Sequence, residues 1–117
     1  MNIKELLGEL YAHPSHYTVA LKNESKISHW GDIASYRGYY AEVAVDEGYK
    51  AKSVSEVTSD LLGVIGRTFG GYKGGEYTMS KFTNVYFATW GNLGPVTSRA
   101  YVDDETVFIV CLEEGDF

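Results

Sequence analysis

The chain has 117 residues, a length that makes one domain and can bury a core without a metal or disulfide staple. Hydrophobic residues at 44% and charged residues at 22% are ordinary for a soluble fold, whereas 15% aromatic, carried mainly by ten tyrosines, is high. A single cysteine excludes a disulfide framework and a cysteine-built zinc site, and a net charge of −6 argues against unassisted binding to duplex nucleic acid.

In chain order, Ile3, Leu6, Leu7, Leu10 and Tyr11 recur at helical spacing behind Asn2 as a cap, which predicts a helix over 3–11 that Pro14 ends. This N-terminal run is amphipathic rather than a charged head followed by an apolar stretch, and no segment approaches ~18 consecutive apolar residues. Neither a leader nor a membrane anchor is expected, and a cytoplasmic location is. HYTVAL at 16–21 has the β-branched and aromatic content of a strand, and the polar NESKIS after it reads as a loop. Tyr39, Ala41, Val43 and Val45 then alternate with Tyr40, Glu42 and Ala44, the two-residue period of a half-buried strand, entered through SYRGYY with Arg37 beside Gly38.

Ser53 followed by Glu56 is a capping-box pattern. Val54, Val57, Leu61, Leu62, Val64, Ile65 and Phe69 form one apolar stripe, predicting a second helix that Gly70-Gly71 stops. NVYFATW at 84–90 predicts a strand, Gly91-Asn92-Leu93-Gly94-Pro95 a turn, and 96–101 a partner strand. Asp103-Asp104 marks a hairpin turn into an apolar strand over 106–112, and the acidic tail 113–117 is solvated. The expected fold is a single α+β domain over 1–117, an antiparallel sheet of four to five strands packed with two helices. The last apolar strand, or a face studded with tyrosines, is suited to self-association.

No chemical machine stands out. His13, His16 and His29 are scattered, and HPSH supplies two ligands at most, too few for a metal site. The nucleophile motif GxSxG is absent, and GGYKGG matches neither GxxxxGK[ST] nor a GxGxxG that follows a strand. The acid pairs Asp46-Glu47 and Asp103-Asp104 fall where turns are expected, and Cys111, inside VFIVCL, reads as a small buried hydrophobe. No catalytic residue, cofactor or metal is expected. The protein therefore reads as a binder before it reads as an enzyme.

The segment 69–94, FGGYKGGEYTMSKFTNVYFATWGNLG, combines glycine pairs with many rings. It brings together flat rings (Phe82, Trp90), a planar amide (Asn92) and, with the residues around it, the cations Lys73, Lys81 and Arg99. Between 67 and 99 there are four cations against Glu76 alone, a local surplus on an acidic chain. Such groups can stack a purine, read its edge and meet a phosphate. Arg37 adds a further planar cation.

SYRGYY entering a strand, the helix after it, GYKGGEYTM through TWGN, and the turn into SRAYV resemble the phage-encoded Thoeris anti-defence sponge proteins of the first described family, over roughly residues 36–112. The resemblance implies a non-enzymatic protein of the host cytoplasm. It would sequester a cyclic ADP-ribose isomer, the immune signal made by a TIR-domain enzyme, and so keep the downstream effector off. It implies pockets where two subunits meet, in a homo-oligomer that is at least a dimer and extends in some members to a hexamer, some with separate pockets for cyclic oligonucleotides. By position, Phe82 matches the ring against the base and Asn92 the polar contact; Arg37, Tyr39, Trp90 and Arg99 fall in matching motifs. The few arginines after Arg67 put a second, strongly basic pocket in doubt. A reading from another class is a small acidic phage protein that presents its tyrosines to a host protein.

Overall fold

A computed structural model of the chain describes residues 1–35, 42–70, 76–89 and 92–113. The first part of the SYRGYY strand, with Arg37 and Tyr39, lies outside them. So do GYKGG at 71–75, Trp90, Gly91 and the tail beyond 113.

Helix α1 (Ile3–Tyr11) starts where the cap predicts. Asn2 Oδ1 accepts from Glu5 N at 2.8 Å, and Glu5 Oε1 accepts from Asn2 N at 3.1 Å. Its face of Ile3, Leu6, Leu7 and Leu10 is buried. Helix α2 (Val54–Val64) begins with the same device, Ser53 with Glu56, and buries Val54, Val57, Thr58, Leu61 and Val64.

The expected stripe overreaches at the far end of α2. Ile65 is already extended, Gly66 sits at φ +82°, and Phe69 belongs to a strand, so the stop lies before Gly70-Gly71. A left-handed φ is open to glycine, and Gly66 uses it to send its N–H to the Met79 carbonyl at 2.7 Å. Leu62, 52% exposed, lies off the buried face.

Among the described residues nine strands form where four or five are expected. They are β1 (Thr18–Asn23), β2 (Lys26–Ser35), β3 (Val43–Gly48), β4 (Lys52–Ser53), β5 (Thr68–Gly70), β6 (Glu76–Thr78), β7 (Val85–Thr89), β8 (Asn92–Asp103) and β9 (Thr106–Leu112). Strands β5 and β6 make a separate two-stranded ribbon, with Phe69 opposite Tyr77. The other seven form one sheet, mostly antiparallel, with β3–β7 and β9–β1 parallel.

The pairing closes on itself, because β2 bonds to both β1 and β3. Its first residues pair with β1, its later ones with β3, and the register shifts between Trp30 and Ile33. Strand β8 behaves alike: Asn92 to Val96 pair with β7, Val96 to Asp103 pair with β9, and the register shifts between Thr97 and Arg99. Two long strands with an irregularity at mid-length thus turn the corners of the sheet.

This corrects three expectations. Lys26 to Ser28, assigned to the NESKIS loop, open β2, and the reversal there is confined to Glu24-Ser25, with Glu24 at φ 55°. Asn92 to Pro95, expected as a turn, belong to β8, with Asn92 opposite Thr89. The hairpin before β9 turns at Asp104 and Glu105, both at positive φ, one residue later than Asp103-Asp104 suggests.

Val19, Leu21, Trp30, Val43, Val45, Val85, Phe87, Val107, Ile109 and Cys111 join the apolar faces of both helices and Met79 in one core. On the opposite face of the sheet Ala44, Tyr86 and Val96 make a smaller cluster. Close approach of β2 and β3 depends on two glycines. A Cβ on Gly31 would stand 2.3 Å from the Asp46 carbonyl oxygen, and one on Gly48 would stand 2.5 Å from that of Trp30.

Candidate ligand-binding site

Between the ribbon and β7 the sequence Met79-Ser80-Lys81-Phe82-Thr83 makes a tight turn tied to itself. Ser80 N donates to Thr83 Oγ1 at 3.0 Å, Thr83 N donates to the Ser80 carbonyl at 3.1 Å, and Phe82 N donates to Ser80 Oγ at 3.2 Å. Hydroxyl side chains that bond neighbouring backbone favour such turns. Met79 at 1% exposure and Thr83 at 5% anchor the two sides, which leaves Phe82 at the tip, 61% exposed.

The start of α1 locks onto the same turn. Ile3 N donates to the Thr83 carbonyl at 2.9 Å and Lys4 N to the Lys81 carbonyl at 2.8 Å, while the Met1 carbonyl accepts from Val85 N at 3.0 Å. The Met1 α-amine donates to the Thr97 carbonyl, and the Thr97 hydroxyl lies within reach of the Val85 and Met1 carbonyls. Burial pushes that α-amine below its ordinary pKa, against the opposing pull of Glu5. The consequence for Phe82 is a pair of cations: Lys81 Nζ lies 5.3 Å from the ring centroid and Lys4 Nζ 5.9 Å from it. An exposed ring with two ammonium groups over it, on a turn pinned by backbone, can meet an anion beside a flat group.

A cleft of about 550 Å³ opens two residues further on, lined by Met1, Glu5, Asn84, Tyr86, Val96, Thr97 and Ser98. Its volume falls within the range of small-molecule sites.

The remaining expected residues among those described divide between the two ends of β7. Asn92 stands at the opposite end of β7, paired with Thr89, and the four steps from Val85 to Thr89 span about 13 Å at ~3.3 Å per residue. Arg99 is exposed on β8, and seven steps from Asn92 carry it roughly 23 Å along a strand that runs antiparallel to β7, back towards the Phe82 end and one residue beyond Ser98 of the cleft. There it belongs to a second group. Its guanidinium lies 5.9 Å from the Tyr101 ring, Tyr101 stacks on Phe108 at 5.2 Å, and Lys22 Nζ donates to the Tyr101 hydroxyl at 3.1 Å. Arg37, Tyr39 and Trp90 lie outside the described residues.

Lys4 and Asn84 enter the site without having been singled out in the sequence. Lys4 had no local signal, since it meets Phe82 only because the first turn of α1 hydrogen-bonds the carbonyls of Lys81 and Thr83.

Among the described residues no group of three or more His, Cys, Asp or Glu side chains is placed to hold a metal ion, and no helix is long and apolar enough to cross a membrane. Comparison of the chain with protein-family models, with curated proteins and with solved structures returns no match to any of them.

Proposed function

We propose that the protein is a nucleotide-signal sponge of phage origin that acts in the host cytoplasm. It binds a cyclic ADP-ribose isomer, glycocyclic ADP-ribose, made by a TIR-domain enzyme, and withholds it from the Thoeris effector without chemical change. The observation that carries this reading is Phe82: a large apolar ring held out to solvent by a self-bonded turn, with two lysines over it and a cleft of about 550 Å³ that begins at Asn84, two residues along the chain. The motif resemblance of SYRGYY and GYKGGEYTM-to-TWGN supports the same ligand class.

Phe82 and Asn92 lie at opposite ends of β7, so a guest that touches both is held between subunits, Phe82 from one and Asn92 from its partner. Sequestration then works by mass action and needs tight affinity rather than turnover.

The test is to incubate purified protein with the TIR-derived signal, remove free ligand, denature by heat and identify what is released. Unchanged signal is the expected result, and a hydrolysed product converts the reading to a hydrolase. Calorimetric silence towards all cyclic ADP-ribose isomers, with capture of one host polypeptide, moves it to the protein-binding alternative.

A further inference from the structure

We infer that Lys4 and Lys81 together form the phosphate-binding locus beside Phe82, so that this site selects a base carrying phosphate over a bare nucleoside. The inference rests on the reading of Phe82 as the ring against the base.

Both ammonium groups lie over one ring, within 6 Å of its centroid, although their residues stand 77 positions apart in the sequence. Neither is free to drift far at its root, because Lys4 N is bonded to the Lys81 carbonyl at 2.8 Å and Phe82 N to Ser80 Oγ at 3.2 Å. Neither is neutralised: the ion pairs among the described residues are Lys26–Glu47 and Lys52–Asp60. Two like charges brought to one exposed ring repel each other until an anion joins them. Each also keeps three N–H donors for a phosphate oxygen.

The amides at the start of α1 do not serve instead. Ile3 N and Lys4 N are bonded to the turn, Glu5 N to Asn2 Oδ1 and Leu6 N to the Asn2 carbonyl. Glu5, the acid of that turn, keeps its Oε1 on Asn2 N. The anion is therefore met by side chains, and on a chain of net charge −6 this pair is what makes the site locally attractive to it.

The experiment is calorimetry of the full chain with adenosine, AMP, ADP and a cyclic ADP-ribose isomer, on the parent protein, K4Q, K81Q and the double variant. In the parent, affinity rises from adenosine to AMP to ADP. Each lysine removed weakens ADP and the cyclic isomer by about tenfold, the double variant by about a hundredfold, and adenosine is unchanged. Both side chains are exposed, and unchanged thermal melts confirm that the variants fold.

A double variant that keeps the phosphate preference overturns the inference, as does a parent indifferent to all four probes. A parent that binds ADP through the lysines yet ignores every cyclic ADP-ribose isomer leaves this inference standing and overturns the sponge reading instead.

Discussion

Phe82 contributes little to the fold, since more than half of it faces solvent. Removing it should therefore separate binding from stability. Phe82→Ala is expected to weaken capture of a cyclic ADP-ribose isomer by roughly ten- to a hundredfold, the loss of one base–ring stack, with the melting temperature nearly unchanged. Calorimetry and a thermal melt read the two quantities, and a collapse in solubility would place the ring inside the protein instead. Cys111 is the opposite case, fully buried, and burial pushes its thiol from the usual 9.0 up to about 12. Between those values the unfolded chain gives up a proton that the folded chain keeps, so the thiol's share of stability is intact below pH 9 and is lost as pH rises towards 12. A thiol-specific reagent at pH 8 should accordingly label the protein only after denaturant is added. The sequence made both residues legible, one as a ring beside lysine and serine, the other as a cysteine within an apolar strand. It could not show Lys4 beside Phe82, because that meeting depends on backbone bonds from Ile3 and Lys4 to the distant carbonyls of Thr83 and Lys81.

Helices were easier to read than strands for a reason visible in their ends. Each capping box is a local, three-residue signal, and both Asn2-Glu5 and Ser53-Glu56 form as the pattern requires. Loss of either cap, Asn2→Ala or Ser53→Ala, should cost about 1 kcal/mol in denaturant unfolding. The two should differ in function, however. Asn2 sets the start of the helix whose first amides hold the Lys81 and Thr83 carbonyls, so its loss should also weaken ligand capture, whereas Ser53 heads the other helix. Equal effects on binding from both substitutions would detach α1 from the site.

Strand β2 was missed because its alternation is broken where it passes from one neighbour to another, and because Ser28 and Trp30 rather than aliphatics face inward. Beside the same break stand Gly31 and Gly48, which permit two backbones to touch. Gly48→Ala would drive a methyl to 2.5 Å from the Trp30 carbonyl oxygen and should destabilise the sheet by about 1–3 kcal/mol.

At the scale of the whole molecule, the run from Phe82 to Asn92, continuous in sequence, is divided by a strand. The two residues stand at opposite ends of β7, about 13 Å or more apart, and the proposed sponge would bring them to one ligand from different subunits. In a two-fold dimer each pocket then takes Phe82 from one protomer and Asn92 from its partner. This makes a mixing experiment decisive. Phe82→Ala and Asn92→Ala homodimers should each lose parent-like affinity for the cyclic ADP-ribose isomer. Those homodimers bind only at the weakened affinity; when the two variants are co-refolded in equal amounts, a mixed dimer carries both lesions in one pocket and none in the other. Random pairing makes half of the dimers mixed, so about a quarter of the parent's capacity should return, with parent-like affinity. Titration by calorimetry gives both the stoichiometry and the affinity. If each pocket drew both residues from the same chain, every pocket in the mixture would carry one lesion and nothing would return; that result would mean the chain bends these residues together within one subunit, and the division at β7 would not be what shapes the site.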